Sequence, residues 1–268
     1  MTTFQRVVKT AAIVLAIFII VGIFVGAAEL VFDIVGISNN ILDEAETYSL
    51  SADIDELDIE ISSADFTVKS GDAFSVESNI DGLTVKEENG TLVIEEYHSF
   101  LNLGSSEGRM LTLVIPTTAV FERVEISAGA GRFTVEALTA EELSIEFGAG
   151  EAKIENLTAT KKADIEGGAG RVEINGGSLT DLRLEMGVGS LYIKSQLVGK
   201  SELELGVGST DVDLIGSKDG YTIDVSRGLG RVTLDGEAYG SDSVVGSGAS
   251  KVYVEGGIGA VNLKFVEA

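Results

Sequence analysis

The chain has 268 residues, with 43 acidic and 19 basic side chains, a net charge of -24, 33 Gly, one Pro, one His, and neither Cys nor Trp. Without Cys there is no disulfide, thiolate metal site or Cys nucleophile, and one His cannot build a multi-histidine zinc site. The negative charge repels phosphate backbones and so argues against nucleic acid as a partner, while 44% hydrophobic residues argue for a folded core over disorder.

From Thr10 to Ala28 there are 19 residues without a charge. As a helix they would span about 28 Å, close to the hydrocarbon thickness of a bilayer. Arg6 and Lys9 precede the segment, and the first charges after it are Glu29 and Asp33. The positive-inside rule therefore puts residues 1–9 in the cytoplasm, a single-pass transmembrane helix at 10–32 and everything later outside the cell. A cleaved signal peptide ending near Val25-Gly26-Ala27 is the alternative. The anchor is the preferred reading, because apolar residues continue through Leu30, Val31, Phe32, Ile34 and Val35. Beyond residue 28 the charge is 17 − 43 = -26, since the first 28 residues hold two basic and no acidic side chains. That charge suits a soluble exported domain.

Residues 33–49 form a juxtamembrane connector, where Ile34, Val35, Ile37, Ile41 and Leu42 predict a partly amphipathic helix. From about Leu50 the apolar period becomes two, as in Leu57, Ile59 and Ile61, then Phe66 and Val68, Phe74 and Val76, Leu83 and Val85, Leu92 and Ile94. Asn89-Gly90 between two such runs predicts a tight antiparallel hairpin. Tyr97 to Gly108 is a polar interruption, and Pro116 ends the next strand. Residues 50–125 thus form an irregular β region.

Residues 126–268 repeat. A Gly-x-Gly step begins at Gly129, Gly148, Gly168, Gly187, Gly206, Gly228, Gly246 and Gly257, at intervals of 19, 20, 19, 19, 22, 18 and 11 residues. Of the 33 glycines, 25 follow residue 125. Six residues after each first Gly stands a branched aliphatic, from Val135, Ile154 and Ile174 to Leu263. A helix cannot absorb paired glycines at this period. Two short strands meeting at a Gly-x-Gly corner, closed by a second turn, can. The expected fold is all-β: a single-stranded β-solenoid of about 19–20-residue coils, stacked into a rod roughly 35 Å long. Its corners are Gly129 and Gly131, Gly148 and Gly150, Gly168 and Gly170, Gly187 and Gly189, Gly206 and Gly208, Gly228 and Gly230, with the central residue expected to point inward.

The Gly-x-Gly steps are followed by strands such as Arg171 to Ile174, whereas a dinucleotide site needs a helix there. The calcium-binding nonapeptide G-G-x-G-x-D-x-U-x fits Gly167 to Asn175 and Gly256 to Lys264 except at its carboxylate ligand, where Val172 and Val261 stand. No metal and no cofactor are therefore expected. Two residues before four successive steps lie Glu146, Glu166, Glu185 and Glu204, an outward acidic ladder that suits a solvated face, weak cation binding or a basic partner. Glu136 and Glu155, then Asp213 and Asp235, suggest a second partial column, and Arg132, Arg171 and Arg231 are placed to offset the repulsion. Catalysis would have to use His98 or two outward carboxylates. Sugar cleavage would also want aromatic platforms, and the repeats offer only scattered Tyr192, Tyr221, Tyr239 and Tyr253.

Asp53 to Ser62, Asp81 to Val85 with Gly90 to Ile94, Leu111 to Pro116, the membrane segment and the Gly-x-Gly repeats together resemble a bacterial family of adhesin-named β-strand-repeat domains of unknown function, found in LiaG-like envelope proteins. The resemblance covers about Leu50 to Ala268. It implies an anchored, extracytoplasmic, non-enzymatic solenoid, with some relatives tied to envelope-stress operons and no catalytic residues to carry over. The expected function is an interaction or scaffold module of the cell envelope, with an envelope protein or polysaccharide as partner. The alternatives are a polysaccharide-binding or polysaccharide-cleaving β-helix and an end-to-end polymerising scaffold.

Overall fold

A computed structural model describes residues 41–51, 53–96, 108–240 and 243–267. The expected cytoplasmic tail at 1–9, the anchor at 10–32, and the polar interruption's residues 97–107, with His98, lie outside the described residues. No described helix is long and apolar enough to cross a membrane.

Among the described residues, period-two alternation produces sixteen strands: β1 (Ile41–Ser49), β2 (Glu56–Gly71), β3 (Ser75–Ile80), β4 (Leu83–Glu88), β5 (Thr91–Glu96), β6 (Met110–Pro116), β7 (Phe121–Val135), β8 (Leu138–Ile154), β9 (Leu157–Ile174), β10 (Gly177–Thr180), β11 (Leu182–Val198), β12 (Lys200–Ile215), β13 (Tyr221–Leu234), β14 (Glu237–Tyr239), β15 (Ser243–Gly246) and β16 (Ser250–Val266). Ile41 and Leu42, read from the sequence as part of a helical connector, belong instead to β1, which pairs antiparallel with β3. Tyr48 and Leu50 pack against the core, so pairing and burial override the short helical pattern.

The repeats stack as parallel coils in register, and the solenoid expectation holds. The strand continues through each Gly-x-Gly corner and pairing is skipped only at the first glycine, so a coil is one long bent strand rather than two short ones; β8 is 17 residues long with Gly148-Ala149-Gly150 inside it. A short further side precedes the bend: Leu138–Ala140 lies beside Leu157–Ala159, which lies beside Gly177–Leu179. The register shift between Ala140 and Glu142 absorbs the extra residue of the 20-residue interval.

Order along the rod departs from order along the chain at both ends. The stack runs β5 with β6, then β2, β7, β8, β9, β11, β12, β16 and finally β13. β2 is inserted between the β5–β6 layer and β7. β16 is inserted between β12 and β13, pairing parallel with both. Nine such layers make a rod of roughly 38 Å at about 4.8 Å per step. Antiparallel strands cover the terminal layers: β4 on β5 and β3 on β6 at one end, β14 and β15 on β13 at the other. The Asn89-Gly90 hairpin is present, with φ of 53° and 87° in the left-handed region a tight turn uses.

The core is a set of aliphatic columns. Ile59, Ile126, Ile145, Ile165, Leu184, Leu203, Val254 and Val225 form one, and Val68, Val135, Ile154, Ile174, Ile193, Val212, Leu263 and Leu234 another; all are buried. Rings fill the ends, with Phe66 on Phe133 at 5.1 Å and Tyr221 on Phe265 at 5.7 Å between centroids. Gly246-Ser247-Gly248, counted among the repeats by spacing, is not a corner. Gly246 ends the antiparallel β15, and the Gly248 N–H bonds the Tyr221 carbonyl. Ser62-Ser63-Ala64 takes the corner of β2 instead, level with Gly129-Ala130-Gly131.

Candidate functional site: the corner groove

The corner glycines have a steric cause. At Gly189 φ is +143°, and a Cβ there would collide with the carbonyl oxygen of Gly170 in the preceding coil; at Gly187 the collision is with the carbonyl of Gly168. Stacked coils approach too closely at the bend for any side chain on that side. At the Ser62 corner no described strand pairs with residues 61–64 on that side, since the β5 register ends at Glu60 and the β6 register begins at Asp65, and the Glu96 carboxylate stands there instead: Ser62 donates to Glu96 through its N–H, at 3.0 Å, and through its hydroxyl. Arg109 forms a buried ion pair with Glu96. Burial pushes the Glu96 carboxyl up, but the Ser62 hydrogen bonds and the Arg109 guanidinium outweigh it and hold the group below the usual carboxylate range.

The glycine row, being bare, forms the floor of a groove of about 550 Å³ along the rod. On one side stand Glu146, Glu166, Glu185 and Glu204, brought into one column by the parallel register, as the sequence suggested. The register adds a fifth, Glu255, directly beside Glu204. Beyond Ser127, Glu60 and Glu95 continue the same column towards the first coils. Glu255 obeys the two-before-glycine rule at Gly257, yet Ser226 and Val244 intervene in chain order, so its place in the wall is invisible without the inserted β16. The ladder carboxyls repel one another. Burial, then Glu185 and Glu146, push Glu166 up; burial, then Glu185, push Glu204 up, with Arg183 working against this. Arg183, on the same face of β11, pairs with Glu185.

The other side of the groove is apolar and departs from expectation. The residue between the two glycines points outward in the last coils, not inward: Val207 is 38% exposed, Ile258 41% and Leu229 54%. The glycines themselves take the crowded side, which leaves the intervening side chain to solvent. Near the first corners the same position holds only Ala130, Ala149 and Ala169.

Two further sequence readings are corrected. Arg132 and Arg171 lie on the arm beyond the corner and pair there, Arg132 with Asp65 at 3.4 Å and Arg171 with Glu173 at 3.6 Å, so neither offsets the Glu column; Arg231 lies on that arm too, level with Ala260. The second acidic column is broken at one end, because inserted β16 puts Lys264 between Asp213 and Asp235. Lys264 is 3.2 Å from Asp213, which also accepts a 3.0 Å bond from the Tyr192 hydroxyl.

Parallel coils, Gly-x-Gly corners and antiparallel end caps define a capped β-solenoid whose distinctive surface is this groove. The family profile described as Toastrack DUF4097 matches residues 51–254, and the chain belongs to that family. No curated protein matches it. Among solved structures, a "putative cell adhesion protein" of Clostridium sporogenes is 13% identical, with 83% of this chain and 99% of that one covered and a TM-score of 0.39. A "putative adhesin" of Bacteroides fragilis is 11% identical, with 83% and 96% covered and a TM-score of 0.39. Another from Parabacteroides distasonis is 14% identical, with 84% and 98% covered and a TM-score of 0.35.

Proposed function

We propose that the chain is a non-enzymatic interaction module of the bacterial cell envelope, held at the membrane by residues 10–32 with the solenoid outside, and that its corner groove is the contact surface. The observation that carries the reading is the groove itself, about 550 Å³ with a carboxylate wall from Glu146 to Glu255 and the exposed Val207 and Ile258 across the glycine floor at one end. Two aspects weigh against sugar cleavage. The ladder carboxylates stand side by side on one face, whereas glycosidases set two across a scissile bond. The groove's aromatic lining residue, Phe147, is buried and offers no stacking platform. End-to-end polymerisation is disfavoured by the antiparallel strands over both terminal layers. The uncharged stretch from Thr10 to Ala28, preceded by Arg6 and Lys9, supports the anchor and its orientation.

The test places a photo-crosslinking amino acid at Val207 or at the exposed Val244 in the full chain, in cells of its own source. Crosslinks to one recurrent partner from position 207 and not from 244 are expected. An equal pattern from both positions, or none from 207, overturns the groove as the contact surface. Protease treatment of intact cells should degrade the solenoid, and full protection overturns the topology.

A further inference from the structure

We infer that the groove's occupant is a cationic amphipathic α-helix of a partner protein, lying along the rod with its basic side on the Glu wall and its apolar side on Val207 and Ile258. The inference rests on the groove being an interaction surface and adds the class of partner.

Charge and apolar surface together specify the ligand face. Glu146 to Glu255 are five consecutive carboxylates in one column. The large apolar side chains across the glycine floor are concentrated at one end, where Val207 and Ile258 line the groove opposite Glu204 and Glu255 in adjacent coils β12 and β16, and Leu229 of β13 follows just beyond it. Exposed branched aliphatics in a row are costly for a solvated rod, and the alanines at the other end show that the corner itself does not require them. A partner meeting both walls must be basic along one edge and apolar along the other.

Backbone chemistry selects a helix. In a parallel ladder the N–H and C=O groups point along the rod to the neighbouring coils, so the groove floor has no edge for an extended peptide to pair with. A segment lying along the rod must satisfy its own backbone, which a helix does. Spacing agrees: the carboxylates recur about every 4.8 Å and helical turns every 5.4 Å, whereas same-face side chains of an extended strand recur about every 6.8 Å. The column from Glu146 to Glu255 spans about 19 Å, or roughly three and a half turns.

The experiment uses the full chain in nanodiscs of zwitterionic lipid and a photoreactive 18-residue Lys/Leu peptide with one basic and one apolar face. Binding should fall steeply with salt, and crosslinks should map to residues 184–189, 203–208 and 255–258. Val207→Asp combined with Ile258→Asp should weaken binding at least tenfold. Glu166→Gln with Glu185→Gln and Glu204→Gln should do the same and flatten the salt dependence. Val244→Asp should change neither, and unaltered circular dichroism of each variant excludes misfolding. Equal binding by a Lys/Ala helix of the same charge, or by a proline-interrupted isomer, overturns the amphipathic helix while leaving the groove as contact surface. Failure of the peptide to label the groove, while Val207 captures a partner in cells, overturns only the class of ligand; failure of both overturns the module reading as well.

Discussion

Glu204 lies directly beside Glu255, although all of β13, β14 and β15 separates them in sequence. The contact exists because the last described strand, β16, enters the sheet between β12 and β13. It extends the acidic wall by one carboxylate and puts Lys264 between Asp213 and Asp235.

Removing residues 250–268 should therefore open a slot in the middle of the stack rather than shorten it. β12 and β13 would each expose an unpaired parallel edge beside the aliphatic columns, a known route to aggregation. Sedimentation should show association of the truncated chain. Adding a synthetic 250–268 peptide should restore protease resistance to residues 200–234; no rescue at saturating peptide would argue against a self-contained β16 slot.

Corner glycines should differ sharply from turn glycines. Gly208→Ala places a Cβ at φ +150° against the Gly189 backbone, which cannot move without shifting a coil, and should cost about 2–4 kcal/mol. Gly236 has φ +83° with open space around it, so Gly236→Ala should cost only about 1 kcal/mol from backbone strain. Urea unfolding of the two variants side by side measures the difference.

Arg109→Leu should be the most damaging single charge change, because it strands the Glu96 carboxylate in the interior, at about 3–5 kcal/mol. Replacing Glu96 by Leu as well should recover much of the loss. A double-mutant cycle by chemical denaturation reads the coupling, and additive losses would show the pair to be independent.

Acid should act in opposite directions on two sets of carboxyls. Glu96 is held below its ordinary value, so its stabilisation is present above the unfolded pKa and is lost as pH falls through the folded one. Glu166 and Glu204 are raised, so the ladder's strain is present above their folded pKa and is relieved as pH falls through it. At neutral pH Glu204→Gln should stabilise by about 0.2–1 kcal/mol, the range for removing a like-charge cross-strand neighbour. That gain should vanish in mild acid and shrink in high salt. Thermal melts across pH for Glu204→Gln and Glu96→Gln separate the two effects, and a Glu204→Gln gain that persists at low pH would sink the ladder explanation.

The one-dimensional pattern by itself determined the all-β class, the parallel coils, the Gly-x-Gly bends, the Asn89-Gly90 hairpin and four of the five wall carboxylates. Each follows from a local rule: side chains alternate along a strand, glycine relieves close stacking, and equal spacing in sequence becomes vertical alignment when coils are the same length. Only the tertiary structure decided the rest. Ile41 and Leu42 became strand because β3 offered an edge. Ser62-Ser63-Ala64 could stand in for a Gly-x-Gly corner because the β5 and β6 registers stop on either side of it, leaving no described paired coil against which its side chains would clash. Val207, Ile258 and Leu229 turned outward because the glycines take the crowded side of the bend. Glu255 joined the wall because a strand inserts wherever two edges present a matching register, and register between distant segments is set by packing rather than by position in the chain.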